Sequence, residues 1–457
     1  MITVIRDHDH ISDSLLPRVV ELAETARDRK TKIAACESLH TAVLITIARR
    51  HNLPSEHAST TLFSAVYQHV FHVLLRLAAD SDDVVRALFA PLVLQIIRCL
   101  AGRFAHTQDI SLMMDAVISA LTTTDSATRE YAARCIAEFL AWSIKNTGRE
   151  QAAQDKRTTE PLIDRLLALA RHPNPYQRLG AAVAFNAVYR IFREEDSLID
   201  RFAIELSGAL LHALRLADAD DPAVGTVSAL SDALDHSLRI MSRRVALLAH
   251  PNDIRRSEKS LNDFLISLLH QLSIPEEGAR NAAMKLFSVL LPLAISGSAP
   301  HAWISKELHH SDISPKTLAS EPVSIAVAKR WLLQLSASLH TQCFLVMSCN
   351  ADPALIFNQY APWNAVNAFL QQYSTITAND EQLAHTTPQE TAHIVRAKCE
   401  VITGLLRTVE LASARTVELA SHVLNERFVN MVLLTTLEPW SLGFNIHDAN
   451  IVREVCI

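Results

Sequence analysis

A short polar turn followed by a helix that opens with a basic residue recurs along this chain. The basic residues of this repeat are Lys32, Arg86, Arg129, Arg178 and Arg280. The spacings after Arg86 are 43 and 49 residues, and 102 residues separate Arg178 from Arg280, which leaves room for two repeats with a turn at Pro222. HEAT and armadillo arrays typically have two or three helices in each repeat of about 40–47 residues, which is close to these spacings. The sequence therefore predicts an all-α fold, an α-solenoid of HEAT-like helical hairpins.

The clearest repeat lies between Arg171 and Ser197. Its turn has a proline on each side of Asn174, and the helix that follows has apolar residues spaced i, i+3, i+7 and i+10. These residues are predicted to form the structural core of the hairpin: Ala182, Phe185, Tyr189 and Phe192. Asn186 lies within the same apolar helix. We expect its amide to bridge to a turn carbonyl, and a buried specificity contact is the alternative.

Length and composition agree with a repeat protein. A single core seldom grows beyond ~250–300 residues, whereas a solenoid of 457 residues grows by adding repeats. The chain has 49% apolar and 20% charged residues, which is enough apolar surface to bury a core between stacked pairs. No run of about 18 uninterrupted apolar residues is found, and the first residues lack a signal-peptide pattern. We therefore expect no membrane partner and no secretion.

The pattern also predicts how the chain is divided. Residues 1–295 are expected to hold six HEAT-like helix pairs, residues 296–325 an irregular loop region with a short helix near Trp303, and residues 326–457 further helical repeats with a truncated end. Neither end of the chain carries a polar capping helix, so we expect a piece of a longer superhelix.

Three local features are predicted around the clearest repeat. A mobile polar linker is expected from Asn146 to Thr159. Ser197 is expected to cap the helix after the repeat, and the partner of that helix is expected to span about Ala223 to Leu248. The acids at 194–196 are expected to favour the start of the next helix through its dipole, with an acidic docking patch as the alternative.

Cysteine and histidine spacing gives no sign of a metal or cofactor site. The seven cysteines lie far apart and none forms a CxxC motif, so we expect buried, reduced thiols in an intracellular protein. His69 and His72 lie three residues apart but have no third ligand nearby. No metal, no cofactor and no small-molecule substrate are predicted.

One basic segment is a candidate contact site. The net charge of −6 gives no broad footprint for nucleic acid, so any such contact would be local. Five basic residues surround one loop: Arg243, Arg244, Arg255, Arg256 and Lys259. They could contact phosphates or a protein partner, since arginine forks suit phosphates. A solvated basic loop is the alternative.

The five repeated basic residues have two interpretations of their own. They could form a basic ladder along an inner ridge, or they could bind turn carbonyls and acids of the neighbouring repeat. We favour the second, structural role, because such residues usually act in this way in HEAT pairs.

Catalytic motifs are missing from the sequence. It contains no GxSxG, HExxH or P-loop motif. It also has no glycine-rich loop with a following strand lysine, and no HRD-like or DFG-like triplet to hold magnesium and a catalytic base. We therefore expect no enzymatic activity from this chain by itself.

Several segments carry a family resemblance beyond the helical pattern. RLGAAVAFNAVYRIFREEDSLIDRF, preceded by ALARHPNPYQ, is the most specific, because Asn186, Tyr189, Phe192 and the acids after Arg193 are not demanded by helix packing. Further segments are DRKTKIAACESLH, FHVLLRLAADSDDVVRALFAPLVLQIIRCL, ARCIAEFLAWSIK and LEPWSLGFNIHDANI. In the same order, these resemble segments of the giant kinases of the phosphatidylinositol-3-kinase-like family.

The resemblance implies a segment of the circular HEAT-repeat cradle in the N-terminal half of such a kinase. In the branch of the family that acts in double-strand break repair by non-homologous end joining, the cradle supports the DNA end and the Ku heterodimer, and transmits assembly to a distant kinase head. The implied partners are the Ku heterodimer, double-stranded DNA ends and the rest of the kinase chain, in the nucleus. The kinase head itself is not expected within these residues.

Two other functions remain open at this stage. The chain could be an independent HEAT-repeat adaptor, of the transport-receptor or phosphatase-scaffold type, that binds a protein partner of its own. It could also be an enzyme, which would need a catalytic constellation in a concave pocket. The adaptor predicts a self-capped monomer of this length, so the size of the native protein separates it from a kinase segment.

Overall fold

The structure is a computed structural model that describes residues 9–52, 70–103, 108–146, 152–249, 260–295, 299–310, 325–360, 362–372, 388–413 and 423–437. The regular elements of these residues are all helical, so the all-α prediction is confirmed. The helices are α1 (Asp9–Thr25), α2 (Arg29–Asn52), α3 (Phe71–Ala78), α4 (Asp83–Arg103), α5 (Gln108–Leu121), α6 (Ser126–Asn146), α7 (Ala152–Ala170), α8 (Pro175–Glu194), α9 (Asp196–Ala217), α10 (Thr226–Arg243), α11 (Val245–Ala249), α12 (Leu261–Gln271), α13 (Glu277–Ala294), α14 (Pro300–His310), α15 (Ile325–Ser348), α16 (Pro353–Leu355), α17 (Trp363–Gln372), α18 (Pro388–Ser413) and α19 (Glu426–Leu437).

The chain divides into two compact units. The first consists of Met1–Ile199 with His212–Ser237, and the second of Asp200–Leu211 with Leu238–Ile457.

In the first unit, neighbouring helices pack as hairpins: α1 on α2, α3 on α4, α5 on α6 and α7 on α8. The second helices of successive hairpins also pack on one another, α2 on α4, α4 on α6 and α6 on α8. This arrangement buries a continuous apolar layer, which includes Phe71, Leu74, Phe89, Ile136 and Phe185. Each hairpin therefore covers the apolar face of the next, as expected for a helical repeat array.

In the second unit, α12 packs on α13, and α15 packs on both α13 and α18. An apolar cluster joins α15, α17, α18 and α19, with Leu335, Phe369, Leu405 and Met431 among its buried members. Gly404 of α18 brings the two longest of these helices close together, because a Cβ there would lie 2.8 Å from the Cβ of Leu339 in α15.

Among the residues that the structure describes, one helix is long and apolar enough to cross a membrane by length and composition alone. This is the segment Asp83–Ala101 of α4, of which half is buried inside the fold. The buried side includes Phe89, Val93 and Ile97, which face neighbouring helices. A core helix passes the same test, so the length of this segment is weak evidence for a membrane span.

The linker predicted from Asn146 to Thr159 is wrong in its second half. α7 begins at Ala152, so residues 152–159 are helical, and residues 147–151 lie outside the described part of the chain. Residues 152–159 are mostly polar but include Ala, Gln, Lys and Arg, which are good helix formers. Polarity alone therefore did not distinguish a linker from an exposed helical turn.

Ser197 does not cap α9, contrary to prediction. Glu195 occupies the capping position, with φ −107° and ψ 98°, and makes no side-chain cap bond. α8 ends at Glu194, so Glu195 alone separates two helices and must take the extended conformation. Asp196 lies in the first turn of α9, where a negative charge is favourable, which agrees with the dipole role predicted for these acids.

The single helix predicted from Ala223 to Leu248 is interrupted twice. Residues Pro222–Val224 form a 3-10 turn that ends at Gly225, whose φ of 79° is left-handed and suits glycine. α10 then ends at Arg243, and the short helix α11 follows. The division into residues 1–295, 296–325 and 326–457 stays a prediction, although α14 contains Trp303, where a short helix is expected.

Candidate functional site

The repeated basic residues occupy the same place in each hairpin. Each is the fourth residue of its helix: Lys32 in α2, Arg86 in α4, Arg129 in α6, Arg178 in α8 and Arg280 in α13. The Nη1 group of each arginine donates to the carbonyl oxygen six residues earlier, at distances of 2.8 Å for the first three and 3.0 Å for Arg280. The acceptors lie in the turn between the two helices. These arginines therefore satisfy carbonyls that a helix end leaves without partners.

Two members of this set also bind acids of the next hairpin. Lys32 donates from Nζ to Asp80 Oδ2 at 2.6 Å. Arg178 forms an ion pair with Asp220, and the exposed fractions of the two side chains are 2% and 9%. Both acids lie in the turn that follows the first helix of the next pair. These bonds confirm the predicted structural role, in which the basic residues bind turn carbonyls and acids of the neighbouring repeat.

Gly180 allows α8 to approach the preceding hairpin. A Cβ at this position would lie 2.5 Å from the carbonyl oxygen of Leu121, the last residue of α5. Because this obstacle is backbone, it could move only with the helix. Glycine here permits the close contact between hairpins, next to the buried Arg178.

Three of the four apolar positions expected in the core of the α8 hairpin are buried in the structure. Ala182, Phe185 and Phe192 are buried, and the two phenylalanine rings meet edge to face with centroids 5.8 Å apart. Tyr189 is only partly buried and stacks on His236 of α10, with centroids 4.1 Å apart. The guanidinium of Arg193 lies 5.8 Å from the centre of the same ring. Tyr189 therefore belongs to the contact between helices α8 and α10.

Asn186 bridges the same two helices. Its Nδ2 donates to the carbonyl oxygen of Ala229 at 3.1 Å, and its Oδ1 lies 2.9 Å from His236 Nδ1. Because the Ala229 carbonyl can only accept, the amide oxygen must face the histidine, and His236 Nδ1 must carry the proton. The amide bridge to a carbonyl was predicted correctly, but the carbonyl belongs to a helix and the residue is half-buried.

The candidate basic segment is only partly within the described chain. Arg243 and Arg244 are exposed where α10 ends. Arg255, Arg256 and Lys259 lie outside the described residues. The next helix starts just after this segment with a capping box, in which Ser260 and Asp263 exchange hydrogen bonds with each other's backbone. The described residues thus include the start of the segment and the helix that follows it, while three of its five basic residues fall outside them.

Sequence reasoning missed a cluster around Trp142. In α6, Trp142 Nε1 donates to Glu138 Oε1 at 2.8 Å, and the same oxygen accepts from Arg98 Nε of α4. Lys145 Nζ and Arg98 Cζ lie 5.0 Å and 6.0 Å from the centre of the indole ring. The i, i+4 spacing of the α6 residues could have pointed to this arrangement. Nothing local in the sequence links them to Arg98, which lies 40 residues earlier.

The buried thiols have little nucleophilic character. Burial raises the pKa of Cys36 to about 11 and that of Cys135 to about 12, and four of the six described cysteines are buried. Within the described ranges, no three His, Cys, Asp or Glu side chains are grouped so as to hold a metal ion. Lys398 of α18 is fully buried, and burial lowers its pKa to about 7.

Comparison with known proteins identifies the family. A family model described as DNA-dependent protein kinase catalytic subunit, CC1/2, matches residues 61–315, which is more than half of the chain. The chain belongs to the DNA-dependent protein kinase catalytic subunit family.

Curated relatives of the same name agree with this match. The chain is 31% identical to the DNA-dependent protein kinase catalytic subunit of Gallus gallus over 494 residues, which cover 97% of this chain and 12% of that protein. The subunit of Mus musculus is 30% identical with the same coverage, and that of Dictyostelium discoideum is 27% identical over 94% of this chain and 12% of its own length. The chain thus spans 12% of the length of these relatives.

The residues matched by the DNA-dependent protein kinase catalytic subunit family contain most of the features described above. They run from before α3 to after α14. They therefore include the four turn arginines, the Trp142 cluster and the candidate basic segment. The later helices α15 to α19 follow these matched residues and lie within the coverage of the curated relatives.

Proposed function

We propose that this chain is a non-catalytic scaffold segment of a DNA-dependent protein kinase catalytic subunit, and that it supports engagement of DNA ends and the Ku heterodimer during non-homologous end joining. One observation carries the proposal: proteins of that name match 97% of the chain, and its described residues fold as packed helical pairs. Stacked repeats offer long surfaces on which large partners can be held. The proposed place of action is the nucleus, and the proposed partners include the rest of the kinase chain.

The sequence supports a non-catalytic role for this segment. It lacks the glycine-rich loop, the strand lysine and the HRD-like and DFG-like triplets with which protein kinases hold ATP and magnesium. Serine/threonine kinase activity is proposed for the full-length protein, because the relatives are named DNA-dependent protein kinase catalytic subunits. It is not proposed for this segment. No cofactor or small-molecule substrate is proposed for the segment itself.

The basic segment is proposed as the local contact with DNA or Ku. Arg243 and Arg244 are exposed at the end of α10, and three further cations follow within the next fifteen residues of sequence. Because the net charge of the chain is −6, a phosphate contact has to be local. Arginine forks bind phosphate oxygens in a bidentate manner, which suits the backbone of a DNA end.

Charge reversal in the full-length protein tests this contact. Arg243→Glu with Arg244→Glu, and separately Arg255→Glu with Arg256→Glu, should weaken the binding of Ku-loaded DNA ends. The salt dependence of the affinity should fall by about one unit of slope for each lost phosphate contact. Arg330→Glu, at an exposed position of α15, is the matched control and should leave both quantities unchanged. An unchanged affinity and salt slope in both double variants would remove the basic segment from the binding surface.

A further inference from the structure

Five residues of the first unit form a continuous surface feature, the Trp142 stripe: Arg134, Glu138, Trp142 and Lys145 of α6, with Arg98 of α4. The α6 residues are spaced i, i+4, i+8 and i+11, which places them on one face of the helix. Cys135, Ile136 and Phe139, on the other face, are buried. The stripe is therefore the outward face of a helix that is well packed on its inner side.

The indole at the centre of the stripe is held in place before any partner arrives. Glu138 Oε1 accepts one hydrogen bond from Trp142 and one from Arg98, so one carboxylate fixes both side chains. Lys145 lies over the ring and restricts it further. A half-buried tryptophan whose rotamer is already fixed loses little entropy on binding. Tryptophan and arginine are also the residues most often found at the energetic centres of protein interfaces.

The charges of the stripe have a definite order. The Cα atoms of its two outer cations, Arg134 and Lys145, lie roughly 16 Å apart along the helix, and both residues are exposed. The Lys145 ammonium reaches back to 5.0 Å from the centre of the indole ring. Within the ranges that the structure describes, neither cation forms an ion pair with a carboxylate, but the charge of Arg134 helps to lower the pKa of Glu138. Glu138 lies between them. Burial acts to raise the pKa of Glu138, but hydrogen bonds from Arg98 and Trp142 outweigh it and lower that pKa, so the carboxylate is ionised at neutral pH.

We propose that the Trp142 stripe docks a peptide segment in which an apolar side chain is flanked on both sides by acidic residues. The apolar side chain would pack on the exposed part of the half-buried indole, beside the Lys145 ammonium, and the acids would meet Arg134 and Lys145. This interaction is separate from the contact with DNA ends proposed above. A DNA backbone fits less well, because it carries evenly spaced negative charge and would meet the ionised Glu138 in the middle of the stripe.

Binding of a designed peptide to the full-length protein tests the proposal. The probe is a fluorescein-labelled synthetic peptide with Leu and Phe at its centre and Glu clusters spaced roughly 16 Å apart. A peptide of the same composition with all acids at the centre is the control probe. Arg134→Glu, Lys145→Glu and Trp142→Ala should each weaken binding of the first peptide by roughly tenfold or more. Lys30→Glu, an equal charge change at an exposed position of α2, should leave it within about twofold.

A second probe separates peptide from nucleic acid. A short DNA duplex should bind the stripe weakly, and Glu138→Gln should raise its affinity, because the amide removes the repulsion and can still accept from Trp142. The two exposed charge reversals do not touch the core, so they keep the test valid even if Trp142→Ala unfolds. Three results would each overturn the proposal. The two peptides could bind the protein with equal affinity, or Lys30→Glu and Lys145→Glu could weaken binding of the first peptide equally. The third is that Arg134→Glu and Lys145→Glu weaken binding of the DNA duplex more than binding of the first peptide.

Discussion

Arg178 of one hairpin and Asp220 of the next form an ion pair that is almost completely buried. The same guanidinium donates to the carbonyl oxygens of His172 and Pro173, so it closes its own turn and joins it to the following hairpin. Removing one partner of a buried pair leaves an uncompensated charge, which costs about 3–5 kcal/mol, whereas replacing both can be nearly neutral.

Arg178→Met should therefore destabilise the first unit by about 3–5 kcal/mol. The double variant Arg178→Met with Asp220→Leu should recover part of that loss, and Arg86→Met should cost under about 1 kcal/mol because the Arg86 side chain is 47% exposed. Hydrogen exchange measured by mass spectrometry reports these differences, from α8 peptides for the Arg178 and Asp220 variants and from α4 peptides for Arg86→Met. Equal losses for Arg178→Met and Arg86→Met would show that burial of the pair is unimportant.

Phe185→Ala should destabilise the α8 hairpin by about 3–5 kcal/mol, since the side chain is 3% exposed. Tyr189→Ala should cost less, because Tyr189 is partly exposed and makes its main contact through stacking on His236. Denaturant unfolding of the purified protein compares the two. A larger loss for Tyr189→Ala would contradict the placement of these side chains.

Gly180→Ala should destabilise by about 1–3 kcal/mol, because the new Cβ would clash with the backbone of Leu121. Gly208→Ala is the matched control, since a Cβ in that helix meets nothing within 4 Å. It should stabilise by about 0.5–1 kcal/mol through the higher helix propensity of alanine. Melting temperatures that move in the same direction for both variants would exclude the close approach at Gly180.

Lys398 predicts a pH dependence of stability. Its folded pKa is about 7, below the value of about 10.4 expected for an unfolded lysine. Between these values the unfolded chain binds a proton that the folded chain lacks, so the contribution of Lys398 to the free energy of unfolding rises with pH. At and below about pH 7 the penalty is fully present.

Lys398→Met should therefore be more stable than the parent at pH 7, and the difference should shrink as the pH rises towards 10. Denaturant unfolding at several pH values measures this difference, in which the titration of cysteines and tyrosines cancels. Lys30→Met, at an exposed position, should show no such trend. A difference between Lys398→Met and the parent that stays constant with pH would refute the burial of an uncharged lysine.

Much of the fold could be predicted because each repeat has a recognisable turn followed by a basic residue at a fixed place in the next helix. An arginine one turn inside the second helix of a pair can reach the preceding turn, so Arg86, Arg129, Arg178 and Arg280 mark four hairpins in the sequence. The acidic partners were harder to assign individually, because Asp80 and Asp220 lie 48 and 42 residues from Lys32 and Arg178.

The errors arose where local chemistry permits two conformations. A polar stretch of good helix formers, residues 152–159, was interpreted as a linker, and Ser197 was favoured as a cap although α8 and α9 are separated by one residue. The Trp142 stripe was missed because Glu138 fixes Trp142 together with an arginine from another hairpin. Contacts between hairpins leave no pattern within a single helix.

The size of the native protein tests the central claim, that this chain is a scaffold segment of a DNA-dependent protein kinase catalytic subunit. An antibody raised against these 457 residues should detect, in an immunoblot of source cells, a band many times larger than 50.6 kDa, because the chain spans 12% of its relatives. A band near 50.6 kDa would contradict the claim and favour a free-standing helical-repeat adaptor.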